Sequence, residues 1–310
     1  MQTAGVQKKK NKNDAMKQRW FEQFAENIEN QKMPWQKPWK SSSKPMKGMP
    51  YNISSGKNYR GSNIMSTLLY KSSNGFEDMR FGTRKQLIDA GYSIRGLKNG
   101  TGCPIVFINQ VKKTEKDKNG DEVERFIWIS RWYEVWNVEA CENYDDMPQE
   151  ETEGDEEGPS NSEMIDMYNI YCQNAGVRQR RGGDGAYYNQ MRDRIVLPNS
   201  EDFDGEIYES MVAFHEAAHS TGHESRLDRL DKTPFGSPEY AFEELVAEFT
   251  ALLVTLSLGG EFKPMKHHDN SAVYIQGWLK ACRDNDKKLT RAFSQAQAAC
   301  DYILENCRAT

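Results

Sequence analysis

The sequence predicts an α+β protein made of two unlike halves. The first observation is charge: residues 1–140 hold 25 basic and 14 acidic side chains, a net charge of +11, whereas the remainder has a net charge of −16. The second is periodicity, which favours helices and strands in the first half and mostly helices in the second. The third is the stretch 141–163, whose ten acidic residues and lack of basic ones are typical of a linker. We therefore expect a disordered basic tail at 1–14 and domains at 15–140 and 164–310.

The basic half is expected to combine short helices with a β-hairpin. Its predicted elements are a helix from Asp14, helices at Ser62–Lys71 and Thr83–Ala90, and strands at Cys103–Gln110 and Phe126–Val138. Asn119-Gly120, between the two strands, is a pair that favours hairpin turns. Alternation places Trp128, Trp132 and Trp136 on one face of the second strand.

The acidic half is expected to be mostly helical with a small sheet. Its predicted helices are Glu163–Ala175, Glu206–His223, Glu239–Leu258, Ala272–Asp284 and Leu289–Asn306. Tyr187–Pro198 has an apolar centre, Ile195–Leu197, and is expected to form a hairpin or an edge strand.

The composition argues against a disordered, a disulfide-rich, a secreted or a membrane protein. With 37% hydrophobic and 11% aromatic residues, the chain can build packed cores, which argues against global disorder. The six cysteines include no Cys-x-x-Cys pair, which favours reduced thiols over a disulfide framework. The N-terminus lacks the apolar core of a signal peptide, and the longest aliphatic stretch is far short of the ~20 residues of a membrane span. We therefore expect a cytoplasmic protein without a membrane segment.

A candidate metal site lies in Met211–His223, which reads MVAFHEAAHSTGH and contains a His-Glu-x-x-His motif. One helical turn separates His215 from His219, so both imidazoles can reach one ion at about 2.0–2.1 Å. Glu216 projects beside them and can take a proton from a water whose pKa zinc lowers toward about 7. The motif therefore predicts a zinc-dependent hydrolase with Glu216 as catalytic base. The alternative is a chance match on a helix surface.

A third ligand must come from another segment. The metzincin pattern would need a histidine at Ser225, so that assignment fails. Glu239–Ala251 offers Glu244 and Glu248 on one helix face, an arrangement that resembles the second helix of gluzincin peptidases. The resemblance implies that Glu244 ligates the metal and that Glu248 orients a ligand histidine. Glu243 is the alternative ligand, and an exposed acidic face is the alternative to both roles. Zn²⁺ is the expected ion, although such a ligand set also accepts Mn²⁺.

Other polar and aromatic side chains near the motif have less definite roles. His223 is expected to line the cleft or to face solvent, and His267 and His268 are expected in a surface loop. Tyr187-Tyr188 and the strand at 195–198 could form a cleft edge where a peptide adds as a strand, or could be structural.

The basic half has features of a nucleic-acid-binding domain. Six of the seven tryptophans lie before residue 140, among many lysines and arginines. Bases stack on exposed aromatic rings, and cations attract phosphates, so this composition suits single-stranded nucleic acid. The alternative is a tryptophan-rich core beneath a solvated basic surface, and some of the rings on the second strand are expected to be core.

Several segments occur in an order that resembles a known family. In the first half they are PWQKPW (Pro34–Trp39), YNISSGKNYRGSN (Tyr51–Asn63), GLKNGTGCPIV (Gly96–Val106) and YEVWNVEAC (Tyr133–Cys141). Together with HEAAHSTGHESRLDR and EELVAEF in the second half, they resemble the ArdC-like antirestriction proteins of plasmids and conjugative elements. The resemblance covers nearly the whole chain outside the tail and the acidic linker, which is longer here.

This resemblance implies a domain that binds single-stranded DNA, followed by a zincin-like metallopeptidase domain of gluzincin type. It implies metal ligation by His215, His219 and Glu244, catalysis by Glu216, and protection of entering mobile DNA against restriction. The candidate DNA contacts are Trp35, Lys37, Trp39, Lys40, Tyr59, Arg60, Arg84, Lys85, Arg95 and Lys98.

Three functions remain open from the sequence. The first is a DNA-tethered peptidase that cleaves an unknown protein substrate on or near entering DNA. The second is a non-catalytic protein that shields DNA and holds a structural metal. The third is a replication or primase accessory protein, which ranks last because no carboxylate set for nucleotidyl transfer is evident.

Overall fold

The computed structural model describes residues 13–24, 26, 48–116, 122–148, 158–203, 206–230, 237–260 and 286–308. Within these ranges the fold is α+β, as predicted, with helices packed on two small sheets. One sheet lies in the basic half and the other in the acidic half. No helix of the described residues is long and apolar enough to cross a membrane.

The sheet of the basic half has four strands. They are β1 (Tyr51–Asn52), β2 (Arg80–Gly82), β3 (Cys103–Lys116) and β4 (Glu122–Asn137), in the order β1-β2-β4-β3. β1 and β2 are parallel, whereas β4 pairs antiparallel with both of its neighbours. The sequence analysis missed β1 and β2 because strands of two and three residues are too short to show a period.

Three helices accompany this sheet. They are α1 (residues 13–24), α2 (Ser62–Asn74) and α3 (Arg84–Asp89), and all three predictions are confirmed. The start of α3 is fixed by a capping box: the Thr83 hydroxyl accepts the backbone N–H of Gln86, and the Gln86 side chain accepts that of Thr83.

β3 and β4 form a hairpin that is longer than predicted. Both predicted strands are present, but pairing extends from Cys103 opposite Val135 to Lys116 opposite Glu122. The prediction stopped early because the outer residues are mainly polar and charged. Trp128 and Trp136 share a face as expected, yet Trp136 is buried and Trp128 is 69% exposed. The base of the hairpin is therefore core, whereas its outer part projects.

The acidic stretch predicted as a linker at 141–163 begins in folded structure. Residues 141–148 pack on the basic half, where Cys141 is buried and the Asn143 side chain accepts the backbone N–H of Ser93 at 2.6 Å. The predicted boundary is corrected accordingly, because acidic composition alone does not prevent a segment from packing.

The other end of the stretch is also held. Ser160 caps the next helix through a hydrogen bond from the backbone N–H of Glu163. Gly158 lies against the end of a later helix, where an added Cβ would come within 2.1 Å of the Gly259 carbonyl oxygen. Only glycine allows that approach. Of the predicted linker, only 149–157 lies outside the described residues.

The acidic half contains four helices and a three-stranded sheet in its described part. They are α4 (Asn161–Asn174), β5 (Arg178–Arg181), β6 (Tyr187–Asn189), β7 (Arg194–Leu197), α5 (Glu206–Thr221), α6 (Pro238–Ser257) and α7 (Asp286–Asn306). These helices and the β6–β7 hairpin confirm the predictions, whereas the predicted helix Ala272–Asp284 lies outside the described residues. β5 was missed because its sequence, RQRR, has no apolar alternation.

One hydrophobic core connects the two halves. The rings of Trp20 and Phe24 in α1 lie 6.4 and 5.1 Å from that of Phe293 in α7. Phe293 also contacts Phe249 of α6, with a centroid distance of 4.4 Å. The difference in charge between the halves therefore does not mark two separate cores.

We predict that Phe293→Ala destabilises the whole protein by about 3–5 kcal/mol, because it removes a buried ring that contacts both halves. Urea unfolding should be followed by circular dichroism and by tryptophan fluorescence, which reports mainly on the first half. Ile88→Ala is the control: Ile88 is 54% exposed, and its loss should cost less than about 0.5 kcal/mol. Separate transitions for the two probes, or equal midpoints for the two variants, would contradict a shared core.

Candidate metal centre

α5 and α6 lie against each other and carry the candidate ligands. Ala217 and Ala218 of α5 and Ala247 of α6 are fully buried, and such small side chains allow two helices to approach closely. His215, on α5, and Glu244, on α6, are buried at this contact. Polar side chains of α5 and α6 therefore meet at a helix contact that is otherwise apolar.

Three side chains form a compact triangle of donor groups. The Nε2 atoms of His215 and His219 are 3.2 Å apart. The two Glu244 carboxylate oxygens lie 3.6 Å from His215 Nε2 and 3.5 Å from His219 Nε2, respectively. Ligands at about 2.0–2.2 Å from a tetrahedral ion are about 3.3–3.6 Å from each other. The side chains present therefore fit one small divalent cation.

Two further carboxylates contact the outer nitrogens of the imidazoles. Glu243 Oε1 lies 3.1 Å from His219 Nδ1, and Glu248 Oε1 lies 3.4 Å from His215 Nδ1. A carboxylate at Nδ1 favours the tautomer whose Nε2 lone pair can face a metal. Glu243 thus lies beside a candidate ligand and outside the donor triangle.

Arg229 holds Glu243 in this position. Its guanidinium makes a two-pronged contact, with Nε 3.0 Å from Oε2 and Nη2 2.8 Å from Oε1. The same side chain donates to the Thr221 hydroxyl and to the Ala218 carbonyl at the end of α5. The sequence analysis missed Arg229 because the residue lies in a loop, where no periodicity relates it to the motif.

The charges in this cluster shift one another's proton affinities. Burial acts to lower the pKa of His219, but hydrogen bonds to Glu243 and Glu244 outweigh it and hold that pKa well above its usual value. For Glu244, burial acts to raise the pKa, but the hydrogen bonds from His215 and His219 outweigh it and hold that pKa below its usual range. The geometry therefore favours an ionised carboxylate next to imidazoles that attract a proton or a metal.

Glu216 behaves differently from the other carboxylates. It is buried, and burial is the largest influence on its carboxyl, raising the pKa above the ordinary value. The imidazoles of His215 and His219 act in the opposite direction, as does a hydrogen bond from the backbone of Tyr188. A buried carboxyl with a raised pKa is suited to accept and return a proton near neutral pH.

The sheet edge beside Glu216 is fixed by a second arginine. Arg226, in the loop after α5, is nearly fully buried and forms an ion pair with Asp193. It also lies 3.2 Å from the Tyr188 hydroxyl, which itself donates to Asp193 at 2.7 Å. The strand order β5-β7-β6 makes β6 an edge strand and β7 a central one. Of the predicted cleft edge, Tyr187-Tyr188 therefore lies at an edge and residues 195–197 do not.

The other histidines lie apart from the triangle or outside the described residues. His223 Nδ1 is 2.8 Å from the Ser225 hydroxyl in the loop after α5. His267 and His268 lie outside the described residues. The described part of the chain contains one group of three residues spaced to hold a metal, namely His215, His219 and Glu244.

The candidate DNA contacts are found in varied environments. Trp35, Lys37, Trp39 and Lys40 lie outside the described residues. Tyr59 is 5% exposed and packs edge-on against Phe81, so its ring is not available to a base.

The remaining candidates are basic side chains. Arg84 lies over the Trp136 ring, 4.9 Å from its centroid. The other four side chains are exposed: Arg95, Lys98, Lys85, which pairs with Asp89, and Arg60, which pairs with Asp301 across the two halves.

Comparison with known families gives one match in each half. The family described as the N-terminal domain of anti-restriction factor ArdC matches residues 14–136. The family described as zincin-like metallopeptidase matches residues 167–295, which include α5 and α6.

Relatives occur in two kinds of protein. DNA primase TraC of Escherichia coli is 32% identical over 307 residues, which cover 93% of this chain but 27% of that protein. A second Escherichia coli protein of that name is 30% identical, over 91% of this chain and 19% of its own length. The chain thus spans roughly a quarter or less of these two relatives. Uncharacterized protein y4eC of Sinorhizobium fredii (strain NBRC 101917 / NGR234) is 28% identical, over 88% of this chain and 84% of its own length.

Two solved structures of the antirestriction ArdC protein from the R388 plasmid share the whole fold. The metal-free structure has a TM-score of 0.73 and 28% identity, and the Mn(II)-bound structure has a TM-score of 0.72 and 27% identity. Each match covers 94% of this chain and 97% of that chain. Both halves, and the order in which they are combined, thus give this chain an ArdC-like architecture, with a region similar to the ArdC N-terminal domain followed by a zincin-like region.

Proposed function

We propose that this protein is a divalent-metal-dependent peptidase that binds single-stranded DNA and acts on proteins that meet entering mobile DNA. The observation that carries the proposal is the triangle of His215, His219 and Glu244. The distances between their facing donor atoms, 3.2–3.6 Å, suit one small cation. In this proposal those three side chains are the metal ligands. Zn²⁺ or Mn²⁺ would satisfy the donor set, and a related ArdC protein has a Mn(II)-bound structure.

The surrounding side chains have separate roles in this proposal. A divalent ion, when bound, would lower the pKa of a water toward about 7 and polarise the scissile carbonyl. Glu216 would accept the proton on its carboxylate and pass it to the leaving amine. Glu248 and Glu243 would keep His215 and His219 in the tautomer that presents Nε2.

The edge strand β6 would bind the substrate backbone. It is next to Glu216, whose pKa is influenced by the Tyr188 backbone, and its outer edge is unpaired within the described sheet. An extended peptide can add to such an edge by backbone hydrogen bonds, without a strong demand on sequence.

The DNA-binding role is supported by the match of the first half to the ArdC N-terminal domain and by its net charge. The exposed candidates Arg60, Lys85, Arg95 and Lys98 remain part of the proposal, whereas the buried Tyr59 does not. Single-stranded DNA entering the cytoplasm is the proposed setting, and protection against restriction is the proposed outcome.

A second function is favoured by the TraC relatives. Proteins named DNA primase contain a region similar to this chain, so a similar unit could serve as an accessory to replication. A non-catalytic shield for DNA, with a structural metal, is the third candidate, and substitution of Glu216 distinguishes it.

We predict that Glu216→Gln keeps the metal but lowers peptide hydrolysis by about 10²–10⁴-fold, because the amide fills the same space and cannot accept the proton. Metal content is measured by elemental analysis, and hydrolysis is measured on labelled casein with Zn²⁺ or Mn²⁺ supplied. Glu239→Gln, at the exposed start of α6, is the matched control and should match the wild type. Equal hydrolysis by both variants rules out Glu216 as the base.

The same variant tests the link to antirestriction. If Glu216→Gln protects incoming DNA as well as the wild-type protein does, peptidase activity is not the means of protection and the shielding function replaces it. If protection falls with hydrolysis while Glu239→Gln protects fully, the two activities are linked.

We predict that Glu243→Gln weakens metal binding by about 10–100-fold, because His219 loses the carboxylate at Nδ1. Affinity is measured by competition with a chelating dye, again with Glu239→Gln as the control. Loss of metal from His215→Ala gives the reference for a missing ligand. An affinity of Glu243→Gln equal to the control would show that the Arg229–Glu243 contact does not support the site.

A further inference from the structure

The outer part of the β3–β4 hairpin carries most of the exposed large apolar side chains of the described residues. We call residues 107–114 and 122–131 the arm. Every side chain described in the arm is exposed, on both faces of the ribbon. Eight large apolar side chains are among them: Phe107, Ile108, Val111, Val123, Phe126, Ile127, Trp128 and Ile129.

Such a surface is costly to leave in water. Single exposed apolar residues are ordinary, but a contiguous set on one projecting element marks a binding surface. A two-stranded ribbon is also only marginally stable without something packed on it. The arm therefore has the properties of an element that is completed by a partner.

The register of the hairpin determines which rings act together. Phe126 lies opposite Lys112, and Trp128 lies opposite Gln110, so these four side chains share one face. Phe126 and Trp128 are 61% and 69% exposed and lie two residues apart, about 7 Å by strand geometry. Trp132 continues the row and packs on Trp20 at the base of the hairpin, with 5.7 Å between ring centroids.

Cations accompany the rings along the arm. Lys112 lies beside Phe126 and pairs with Glu124, while Lys113, Arg125 and Arg131 project from the opposite face. Exposed rings interleaved with lysine and arginine fit a strand of unpaired bases, whose faces stack and whose phosphates are anionic. Lysines along an open sheet edge also act against pairing with a second protein strand. Nucleic acid therefore suits this surface better than another copy of the chain.

We propose that the arm is a stacking platform for single-stranded DNA, with bases on Phe126 and Trp128. The DNA backbone follows the edge of β4 that has no partner strand in the arm within the described sheet, where the long side chains of Arg125 and Arg131 reach the phosphates from the opposite face. The inference rests on the DNA-binding part of the proposed function and assigns the place where the strand binds. It adds residues outside the candidates derived from the sequence. The arm projects from the base where both halves share a core, so a strand held there remains tethered to the metal-binding half.

The test uses the full chain and a labelled oligothymidine of about 16 nucleotides, with affinity measured by fluorescence anisotropy. Phe126→Ala and Trp128→Ala should each weaken binding by at least about 5-fold without changing the salt dependence, because only stacking is lost. Trp128→Phe should recover most of the affinity. Met191→Ala, which truncates an even more exposed apolar side chain in the acidic half, should bind like the wild type.

The cations are tested by their salt dependence. Arg125→Gln combined with Arg131→Gln should reduce the log–log slope of affinity against salt by about 1.4, since each lost phosphate contact contributes about 0.7 for a single strand. A merely structural role for these arginines would leave the slope unchanged. Thermal unfolding of each variant confirms that the fold is retained.

Three results would overturn the inference in different ways. If the wild-type protein does not bind the oligonucleotide, the DNA-binding part of the proposed function fails as well. If the wild type binds and the ring variants bind equally, the arm is not the platform although DNA binding stands. If the wild type is a dimer without DNA and the ring variants are monomers with unchanged DNA affinity, the arm is an interface between two copies.

Discussion

The crowding of negative charge between α5 and α6 is the constraint on which the metal-binding half depends. Glu216, Glu244 and Glu248 are buried at this contact, and Glu243 is nearly so. Buried carboxylates lose hydration and repel one another, so they persist only when positive charge accompanies them. Arg229 and two imidazoles supply part of that charge. A divalent ion would supply the rest, which couples metal binding to the stability of the fold.

This constraint also explains why the two arginines after α5 are buried. The positive charge of Arg229 neutralises the negative charge of Glu243 where α5 packs on α6. The positive charge of Arg226 neutralises the negative charge of Asp193 beside the sheet. Both also donate hydrogen bonds to carbonyl groups at the end of α5, Arg226 to that of Ser220 and Arg229 to that of Ala218. The loop after the histidine motif thus does two things at once: it ends the helix and fixes the groups around the site.

The sequence predicted the grouping of four side chains that the structure brings together, but it did not predict what surrounds them. His215, Glu216, His219 and Glu244 follow from helical spacing and from resemblance, because residues one turn apart must share a face. Spacing alone could not show which of the adjacent residues Glu243 and Glu244 faces the two imidazoles. Adjacent residues of a helix point in different directions, so the answer depends on how α6 is rotated about its axis. That rotation is set by packing against α5 and α7.

Prediction of the fold from the sequence was limited in the same way. Long periodic segments such as α5, α6 and α7 were predicted, whereas β1, β2 and β5 were too short or too polar to show a pattern. Alternation correctly placed Trp128 and Trp136 on one face, but it could not show that the face is core at one end and exposed at the other. That difference depends on what packs against the sheet, which is a property of the whole chain.

The close approach of Gly158 to Gly259 has a consequence for the integrity of the chain. The acidic segment 149–157 runs between two anchored ends, one on the basic half and one at the end of α6. Cleavage within it, including cleavage by a neighbouring copy of this protein, would break the covalent connection and leave the shared aromatic core intact. The two fragments would stay associated, so a nicked molecule would elute at its original size on gel filtration and be recognised only after denaturation.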